Sequence, residues 1–423
     1  MLHTLITIVA SLSLLALSLH LGWRLAQASG LLPRRAQALW RSARMSLPRR
    51  AELGASRWCS HPLLQIALLA LGIRLAVYLL GWAFHMSAMG TSGQYVGFWP
   101  SLDDIWAKWD APHYLSLAEI GYAAPQNPLH IVFYPLYPWL VRLGALLTGD
   151  FFAAATLVSI LCFTVACLVL YRWVEDETQD AELAQRSVLY LALFPFSFFY
   201  GAPYTESLFL LLTVSCIWRL RRGDWYSVAV LGGLAALTRN QGILLLVPIA
   251  IEAWRQRQQI ALWQRLLALV GTASGFASYL WLNQHIFGNA WQFRIAQKTN
   301  WQQDFGFFAQ NIANIWQGML TDTHNMVFGI WLPTLICFAG ALALLAWGRR
   351  RLPACIQAYA LVYTVISFSP TWLLSGPRYM SVLFPLAVLL AMWATPARRR
   401  WLEPALAGLL SLAIYLFIRG WVY

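Results

Sequence analysis

The hydrophobic residues of this 423-residue chain are concentrated in long runs that short polar segments separate. A run of about 20 apolar residues crosses a bilayer as an α-helix, because the helix rises about 1.5 Å per residue and the apolar core is about 30 Å thick. The pattern therefore predicts an all-α polytopic membrane protein. Residues 2–23 resemble a secretory signal only in part, since the run is long, positive charge follows it and no small-residue cleavage site is evident. We interpret them as a membrane helix.

Loops rich in Arg and Lys remain in the cytoplasm, which fixes the direction of most predicted helices. Residues 24–57 carry eight arginines against the single acid Glu52, so this segment is predicted to be a cytoplasmic linker. Further basic clusters at 219–222, 349–351 and 398–400 each follow an apolar run and mark further returns to the cytoplasm. The first loop after the second helix therefore lies outside.

Two doubtful segments are decided by counting crossings between these basic clusters. Residues 132–148 contain Pro135, Pro138 and Arg142, so we predict a helix that lies along the outer interface without spanning. The apolar run 225–254 is interrupted by TRNQG, and two short helices meeting at that polar break satisfy the charge rule.

These rules predict a bundle of twelve crossings, several of them short or broken, with both termini outside. The predicted crossings are 2–23, 63–86, 151–173, 186–200, 205–219, 225–238, 241–254, 262–285, 326–347, 354–373, 378–395 and 402–420. Residues 1–62 form a first helix with its linker, and residues 63–423 form the main membrane domain with outer loops 87–150 and 286–325.

Composition agrees with a membrane protein and limits the other classes. The chain is 59% hydrophobic and 11% charged, whereas a soluble domain is about one-quarter charged. Its net charge of +13 comes mostly from loop arginines, and no basic-aromatic module indicates a nucleic-acid partner. The six cysteines lie in or beside apolar runs and are interpreted as small buried hydrophobes, and the eight histidines lack metal-site spacing.

Three polar stretches interrupt the helices at their predicted outer ends: APYTES (202–207), TRNQG (238–242) and SGPRYM (375–380). A charge at that depth is unfavourable unless it is paired or hydrated, so Glu206, Arg239 and Arg378 are candidate functional residues. Arginine offers a planar set of donors suited to the phosphate of a lipid. The structural alternative is that these residues form salt bridges with one another and tie short helices together.

The first outer loop contains WAKWDAPHYLSLAEIGY, in which Asp110 is surrounded by aromatic residues. A carboxylate partly enclosed by Trp106, Trp109 and Tyr114 loses solvation and can accept a proton from a hydroxyl. Alternatively, Asp110 caps the helix that Ala-Pro begins, and both roles can hold together. Asp103 and Asp104 could join it around a divalent ion, a weaker possibility. Glu119 points to the opposite helix face, so it is no obvious acid-base partner.

Five ordered motifs between about residues 63 and 395 resemble those of one family, the PIG-V-type mannosyltransferases, which comprise the second GPI mannosyltransferase and bacterial relatives. The motifs are WDAPHYLSLAEIGY, VFYPLYPWLVRL, LFPFSFFYGAPYTESLFLLL, GLAALTRNQGILLLVP and GPRYMSVLFPLAVLLA. Family members often have Pro where Asn240 stands here, which leaves the geometry of the break open, although Gly242 supplies flexibility.

This resemblance implies a GT-C glycosyltransferase that uses a polyprenyl-phosphate sugar, usually mannose, on the non-cytoplasmic face. It implies Asp110 as the base. Our hypothesis for the mechanism is a single inverting displacement in which Arg378, with Arg239 and Tyr379 or Tyr204, binds the phosphate leaving group and stabilises its charge. Other candidate substrate contacts are Glu206, Trp109, His113, Tyr114, Glu119 and Tyr134. No cofactor or metal is required, because arginines hold the phosphate. The implied partners are the lipid donor, a glycan, lipid or protein acceptor, and membrane lipids.

The implied location is a bacterial inner membrane with a periplasmic active site. The loop 286–325 contains several Asn and Gln together with Trp291, Trp301, Trp316, Asp304 and Asp322, and these residues suit either acceptor contact or an interfacial aromatic belt. Two alternatives stay open. One is a lipid or glycan transporter or flippase, which would be expected to show related halves and deep charges; we find no repeat, and Arg74 is the clearest deep charge. The other is a related enzyme that uses an arabinose-type donor.

Overall fold

The computed structural model describes residues 2–28, 61–89, 97–122 and 128–422. All regular secondary structure in these ranges is helical, apart from one isolated antiparallel bridge between Phe305 and Pro370, which confirms the all-α prediction. Most of the predicted Arg-rich linker lies outside the described residues, as do residues 90–96 and 123–127 of the first outer loop.

Eighteen helices follow one another in the described parts of the chain. In chain order they are α1 (Leu2–Ala28), α2 (Pro62–Met89), α3 (Phe98–Trp106), α4 (Ala111–Ile120), α5 (Leu136–Thr148), α6 (Phe151–Thr178), α7 (Ala181–Ala192), α8 (Glu206–Arg222), α9 (Trp225–Ala236), α10 (Leu246–Arg255), α11 (Leu262–Phe287), α12 (Gln292–Trp301), α13 (Phe308–Thr321), α14 (His324–Trp347), α15 (Ala354–Ser367), α16 (Gly376–Ser381), α17 (Pro385–Trp393) and α18 (Pro396–Ile418). Short 3-10 helices span Pro128–Val132, Ser197–Tyr200 and Asn240–Leu245.

Six of these helices, α1, α2, α6, α11, α14 and α18, are long and apolar enough to cross a membrane, as far as the described residues extend. Each coincides with a crossing predicted from the sequence. The polar break at 238–242 is also confirmed, because α9 ends at Ala236 and Arg239 has an extended backbone. The chain is thus an integral membrane protein with discontinuous helices.

Several predicted crossings end earlier than expected. The prediction of one helix over 186–200 is wrong after Ala192, because Pro195 lacks an amide hydrogen and its ring clashes with the carbonyl four residues before it. The prediction over 378–395 is wrong in the same way, since α17 begins anew at Pro385. In the predicted run 354–373, the helix stops at Ser367. The loop 286–325 is itself partly helical, because it contains α12 and α13.

Arg74, the deep charge of α2, has a structural explanation. Its guanidinium donates to the Ala192 carbonyl at 3.0 Å and to the Ser197 hydroxyl at 3.1 Å. It also lies 4.9 Å from the Phe163 ring centroid. The last carbonyls of a helix lack partners within the helix, so Arg74 satisfies the end of α7 where Pro195 interrupts it. This contact accounts for the buried charge without a transport pathway.

Charged residues gather at two opposite ends of the bundle. Glu206 begins α8 and Arg222 ends it, a separation of about 24 Å along a 17-residue helix. At the Arg222 end, Arg221 pairs with Glu177 at 2.6 Å and with Glu252 at 3.1 Å. The segments predicted to be cytoplasmic therefore lie together, away from Glu206. Which end faces the cytoplasm is a prediction from the charge rule.

Candidate active site

A cavity of about 590 Å³ opens among the helix ends on the Glu206 side of the bundle. Its walls come from the first outer loop, the α9–α10 break, the loop before α13 and the turn at α16. The lining residues are Trp109, Asp110, His113, Tyr114, Val132, Phe133, Tyr134, Thr238, Arg239, Asn240, Gln241, Phe293, Arg294, Gln297, Trp301, Gln303, Asp304, Phe305, Ile366, Ser367, Pro370, Trp372, Leu374, Ser375, Arg378 and Tyr379. Segments distant in sequence thus meet around one space, as the topology predicts.

Asp110 occupies the position before the first residue of α4, yet its side chain makes no capping hydrogen bond. Its Oδ2 instead accepts a hydrogen bond from Arg378 Nη1 at 2.7 Å. The Asp110 side chain is 29% exposed, whereas that of Arg378 is 5% exposed. Asp110 therefore occupies the predicted capping position, but its side chain does not form the capping hydrogen bond. The carboxylate points to the cavity and to a guanidinium.

Glu206 joins the two buried arginines behind the cavity wall. Its Oε1 accepts from Arg378 Nε at 2.7 Å and from Arg239 Nη1 at 2.5 Å, and Glu206 is fully buried. Arg239 also donates to Thr205 Oγ1 at 3.1 Å. The mutual salt bridging considered from the sequence is thus present. Glu206 fixes the arginines and has no surface on the cavity, whereas Arg239 and Arg378 do.

Both arginines keep donors for a ligand. Arg378 uses Nε and Nη1, and Arg239 uses Nε and Nη1, for protein contacts. Within the described residues, Nη2 of each has no hydrogen-bond partner. The cluster of Arg239, Arg378, Asp110 and Glu206 has no net charge, because it contains two positive and two negative side chains. An anion bound at either Nη2 atom would therefore give the cluster a net negative charge. Arginine is suited to this because it has five N–H donors.

Aromatic rings surround the guanidinium of Arg378. Its Cζ lies 4.9 Å from the Tyr204 centroid, 5.4 Å from Phe199 and 5.7 Å from Tyr379. Tyr379 lines the cavity. Tyr204 is fully buried on the far side of Arg378, and its hydroxyl donates to the Lys108 carbonyl at 2.6 Å. The predicted phosphate-binding residues are therefore brought together, although only Tyr379 of the two tyrosines reaches the cavity.

The other predicted substrate contacts divide into two groups. Trp109, His113, Tyr114 and Tyr134 line the cavity. Tyr134 stacks on Tyr279 with ring centroids 3.8 Å apart, and its buried hydroxyl lacks a hydrogen-bond partner among the described residues. Glu119 is not brought to this space: it is exposed at the end of α4.

Burial lowers the pKa of His113, although the Asp110 carboxylate opposes this effect. Its imidazole is therefore mostly neutral at neutral pH. The ring stacks on Phe133 at 5.0 Å. His113 thus adds a neutral, partly apolar surface beside the acid.

Asp103 and Asp104 lie on α3, are exposed and do not line the cavity. Among the described residues, no three His, Cys, Asp or Glu side chains are grouped in a way that could hold a metal ion. The carboxylate site considered for a divalent ion is therefore not assembled in these parts of the chain.

Part of the loop 286–325 forms the outer wall of the cavity. Trp301 and Asp304 line it as the sequence suggested, whereas Trp291 and Trp316 do not. Backbone bonds hold this wall to the segment before α16: Thr371 donates to the Asp304 carbonyl and Gly306 to the Ser369 carbonyl, both at 2.8 Å. The Asp304 carboxylate accepts hydrogen bonds from Lys298, the Phe305 amide and Arg294. These hydrogen bonds hold the pKa of Asp304 well below its usual value.

Several wall residues were not identified from the sequence. They are the polar or amide residues Thr238, Gln297, Gln303, Ser367 and Ser375, together with Trp372. Such residues are common in any polar loop, so their residue type alone does not indicate a binding cavity. Position could have indicated two of them, because Thr238 lies in TRNQG and Ser375 begins SGPRYM.

Gly242 is required by close packing rather than by flexibility alone. A Cβ at this position would lie 2.2 Å from the Ala235 carbonyl oxygen and 2.4 Å from the Ala236 amide nitrogen. Gly242→Ala should therefore displace the break from the end of α9 and destabilise the fold by about 1–3 kcal/mol, the usual effect of overpacking. Thermal unfolding in detergent measures this change. Gly72→Ala is the matched control, because nothing lies within 4 Å of its added Cβ; equal destabilisation of both variants would contradict the packing argument.

The helices and this cavity define a class: integral membrane proteins in which acidic and guanidinium groups meet at one end of a broken-helix bundle. Residues 96–265 match the family model described as Mannosyltransferase (PIG-V). This match confirms the resemblance that the sequence motifs indicate. The matched range includes Asp110, Glu206 and Arg239, whereas Arg378 lies C-terminal to this range.

Similar proteins carry related descriptions. Over 150 residues, the chain is 30% identical to GPI alpha-1,6-mannosyltransferase 2 of Mus musculus. The aligned region covers 33% of this chain and 30% of the mouse protein. The chain is also 30% identical over 115 residues to GPI mannosyltransferase 2 of Yarrowia lipolytica, covering 27% of this chain and 32% of that protein. The matched region thus spans about a third of the length of these curated relatives.

Among solved structures, the chain is similar to ArnT from Cupriavidus metallidurans in a crystal structure bound to undecaprenyl phosphate. The TM-score is 0.48 and the sequence identity is 16%, and the superposition covers 83% of this chain and 75% of ArnT.

Proposed function

We propose that this protein is a membrane glycosyltransferase that transfers a sugar, mannose, from a polyprenyl-phosphate donor to an acceptor hydroxyl at the extracytoplasmic face of a bacterial inner membrane. The observation that carries the proposal is the geometry of the cavity: the Asp110 carboxylate and the guanidiniums of Arg239 and Arg378 line one open cavity, and the Nη2 atoms of both arginines lack a hydrogen-bond partner among the described residues. The match to mannosyltransferases over residues 96–265 supports the sugar.

The reaction is a single inverting displacement. Asp110 takes the proton of the acceptor hydroxyl while that oxygen forms a bond to the anomeric carbon. The bond from this carbon to the donor phosphate breaks on the opposite face, and its electron pair remains on the phosphate oxygen. Arg378 and Arg239 stabilise the charge on that oxygen through their free donors, the kind of electrostatic contribution that is largest where groups are fixed beforehand.

The buried carboxylate Glu206 gives the arginines this fixed geometry. Because Glu206 bonds both guanidiniums, neither side chain must reorganise when the leaving group becomes charged. Arg378 also contacts the base directly, so the proton acceptor and the phosphate site are held by one side chain. Base and leaving-group contacts are therefore coupled.

Transfer is tested with purified protein, polyprenyl-phosphate [14C]mannose and heat-treated membranes as the acceptor source. We expect label to leave the donor lipid and to appear in a new product. A flippase would move the donor across vesicles and leave the sugar on its lipid, which would contradict the proposal. Competition with an unlabelled arabinose-type donor separates the two enzyme alternatives.

Arg378→Lys should lower kcat by about 10²–10³-fold, because the compact ammonium lacks the planar guanidinium whose separate nitrogens reach Asp110, Glu206 and a phosphate oxygen. The assay is the same label transfer, with thermal unfolding as a check of folding. Arg142→Lys serves as the control, since Arg142 is exposed and outside the cavity. Unchanged kcat in Arg378→Lys at normal stability would remove Arg378 from the mechanism.

A further inference from the structure

The backbone turn that delivers Asp110 to the cavity has an unusual conformation. Trp109, directly before Asp110, has φ of 56°, in the left-handed region that aromatic residues rarely adopt. Such a backbone persists only where surrounding contacts hold it. The turn therefore depends on the groups bound to its neighbours.

Lys108 is bound at two points. Its Nζ donates to the Ile418 carbonyl at 3.0 Å, and its own carbonyl accepts from the Tyr204 hydroxyl at 2.6 Å. Ile418 is the last residue of α18, and carbonyls at a helix end lack helical partners and carry partial negative charge. An ammonium group is well matched to that position. Both contacts hold Lys108, the residue before Trp109: its ammonium group binds the end of α18, and its carbonyl binds the buried Tyr204.

The end of α18 makes further contacts with the same segment. Trp106 stacks on Phe417 with centroids 5.9 Å apart, and Lys108 Nζ lies 5.8 Å from the same Phe417 ring. Gly420, which follows the helix, lies beside the Trp109 indole. No residue of α18 is on the cavity wall. The last helix therefore lies behind the site, where it contacts the turn without lining the cavity.

We propose that Lys108 and Tyr204 are positioning residues that hold the Trp109 turn, so that Asp110 stays between Arg378 and the acceptor. The inference rests on the proposed function, in which Asp110 is the base. It gives Tyr204 a role other than phosphate binding, since its hydroxyl is committed to the Lys108 carbonyl. It also makes the end of α18 part of the catalytic architecture.

The test uses the full chain with Lys108→Met and Tyr204→Phe. Hydrogen–deuterium exchange of the peptide 107–116 should become about tenfold faster in each variant, because either substitution removes one of the two contacts that hold Lys108. Label transfer should show kcat lowered by about 10²-fold, the typical effect of a misplaced group, at nearly unchanged KM for polyprenyl-phosphate mannose, since Arg239 and Arg378 remain. Lys108→Arg keeps a donor and should restore most of kcat.

Tyr226→Phe is the matched control, because Tyr226 is 54% exposed and distant from the cavity. Normal exchange and normal kcat in both test variants would overturn the inference. A raised KM at normal kcat would also overturn it, because the two residues would then act in binding. The exchange measurement does not require turnover, so failure of the proposed function shows separately as absent transfer by the wild-type protein.

Discussion

Asp110→Asn should abolish sugar transfer while the protein remains folded. Asparagine is close in shape to aspartate, but its neutral amide cannot accept the acceptor proton. General-base assistance contributes about 10²–10⁴-fold, and we expect a loss of at least this size in kcat. The measurement is transfer of label from polyprenyl-phosphate [14C]mannose at equal amounts of purified, monodisperse protein.

Asp104→Asn is the matched control for this variant, because Asp104 lies in the same outer segment, is exposed and does not line the cavity. It should retain wild-type turnover. If Asp110→Asn also retained near-normal turnover, the assignment of Asp110 as the base would be refuted, and the positioning role of Lys108 with it.

Glu206→Gln should produce the largest loss of stability. Glu206 is fully buried and is the carboxylate between Arg239 and Arg378. Its removal leaves the buried Arg239 without a carboxylate partner and Arg378 with Asp110 alone, and breaking a buried pair in this way costs about 3–5 kcal/mol. Thermal or denaturant unfolding in detergent measures the change. Transfer should be lost as well, because the arginines no longer have a fixed geometry.

Two comparisons make the Glu206 prediction specific. Glu182→Gln removes a carboxylate whose side chain is 56% exposed in its pairs with Arg186 and Arg399, so its effect should be about 0–1 kcal/mol. The destabilisation of the double variant Glu206→Gln with Arg239→Met should be smaller than the sum of the two single destabilisations, because an unpaired buried charge causes most of the loss in each single variant. Strict additivity would show that the two side chains do not depend on each other.

The helices were predictable to the extent that one run of residues determines them. Apolar length alone identifies α2, α6 and α11, and the TRNQG sequence identifies the break after α9. The ends of α7 and α15 were placed too late, because apolar residues continue past the point where the helix stops. Pro195 was a visible signal for α7, but the compensating contact from Arg74 is long-range and has no counterpart in the local sequence.

The candidate site could be predicted as a set of residues but not as a set of interactions. Asp110, Arg239 and Arg378 follow from the rule that charges at membrane depth are functional or paired, together with the family resemblance. That Glu206 stands behind the arginines rather than in the cavity depends on the rotation of α8, which composition does not specify. The side of Arg378 on which Tyr204 lies was also not predictable, because Tyr204 is in the non-helical segment before α8 and is distant from Arg378 in the sequence.

The pairing of the four charged residues also has a consequence for biosynthesis. Glu206 and Arg239 are 33 residues apart, whereas Arg378 is 172 residues beyond Glu206 and 268 beyond Asp110. During synthesis and membrane insertion, Glu206 can therefore pair with Arg239 after only 33 further residues. Arg378 is inserted later, when both of its carboxylate partners, Glu206 and Asp110, are already present. A nascent chain stalled before Arg378 would thus contain the Glu206–Arg239 ion pair, and synthesis of residues 378–423 would complete the site.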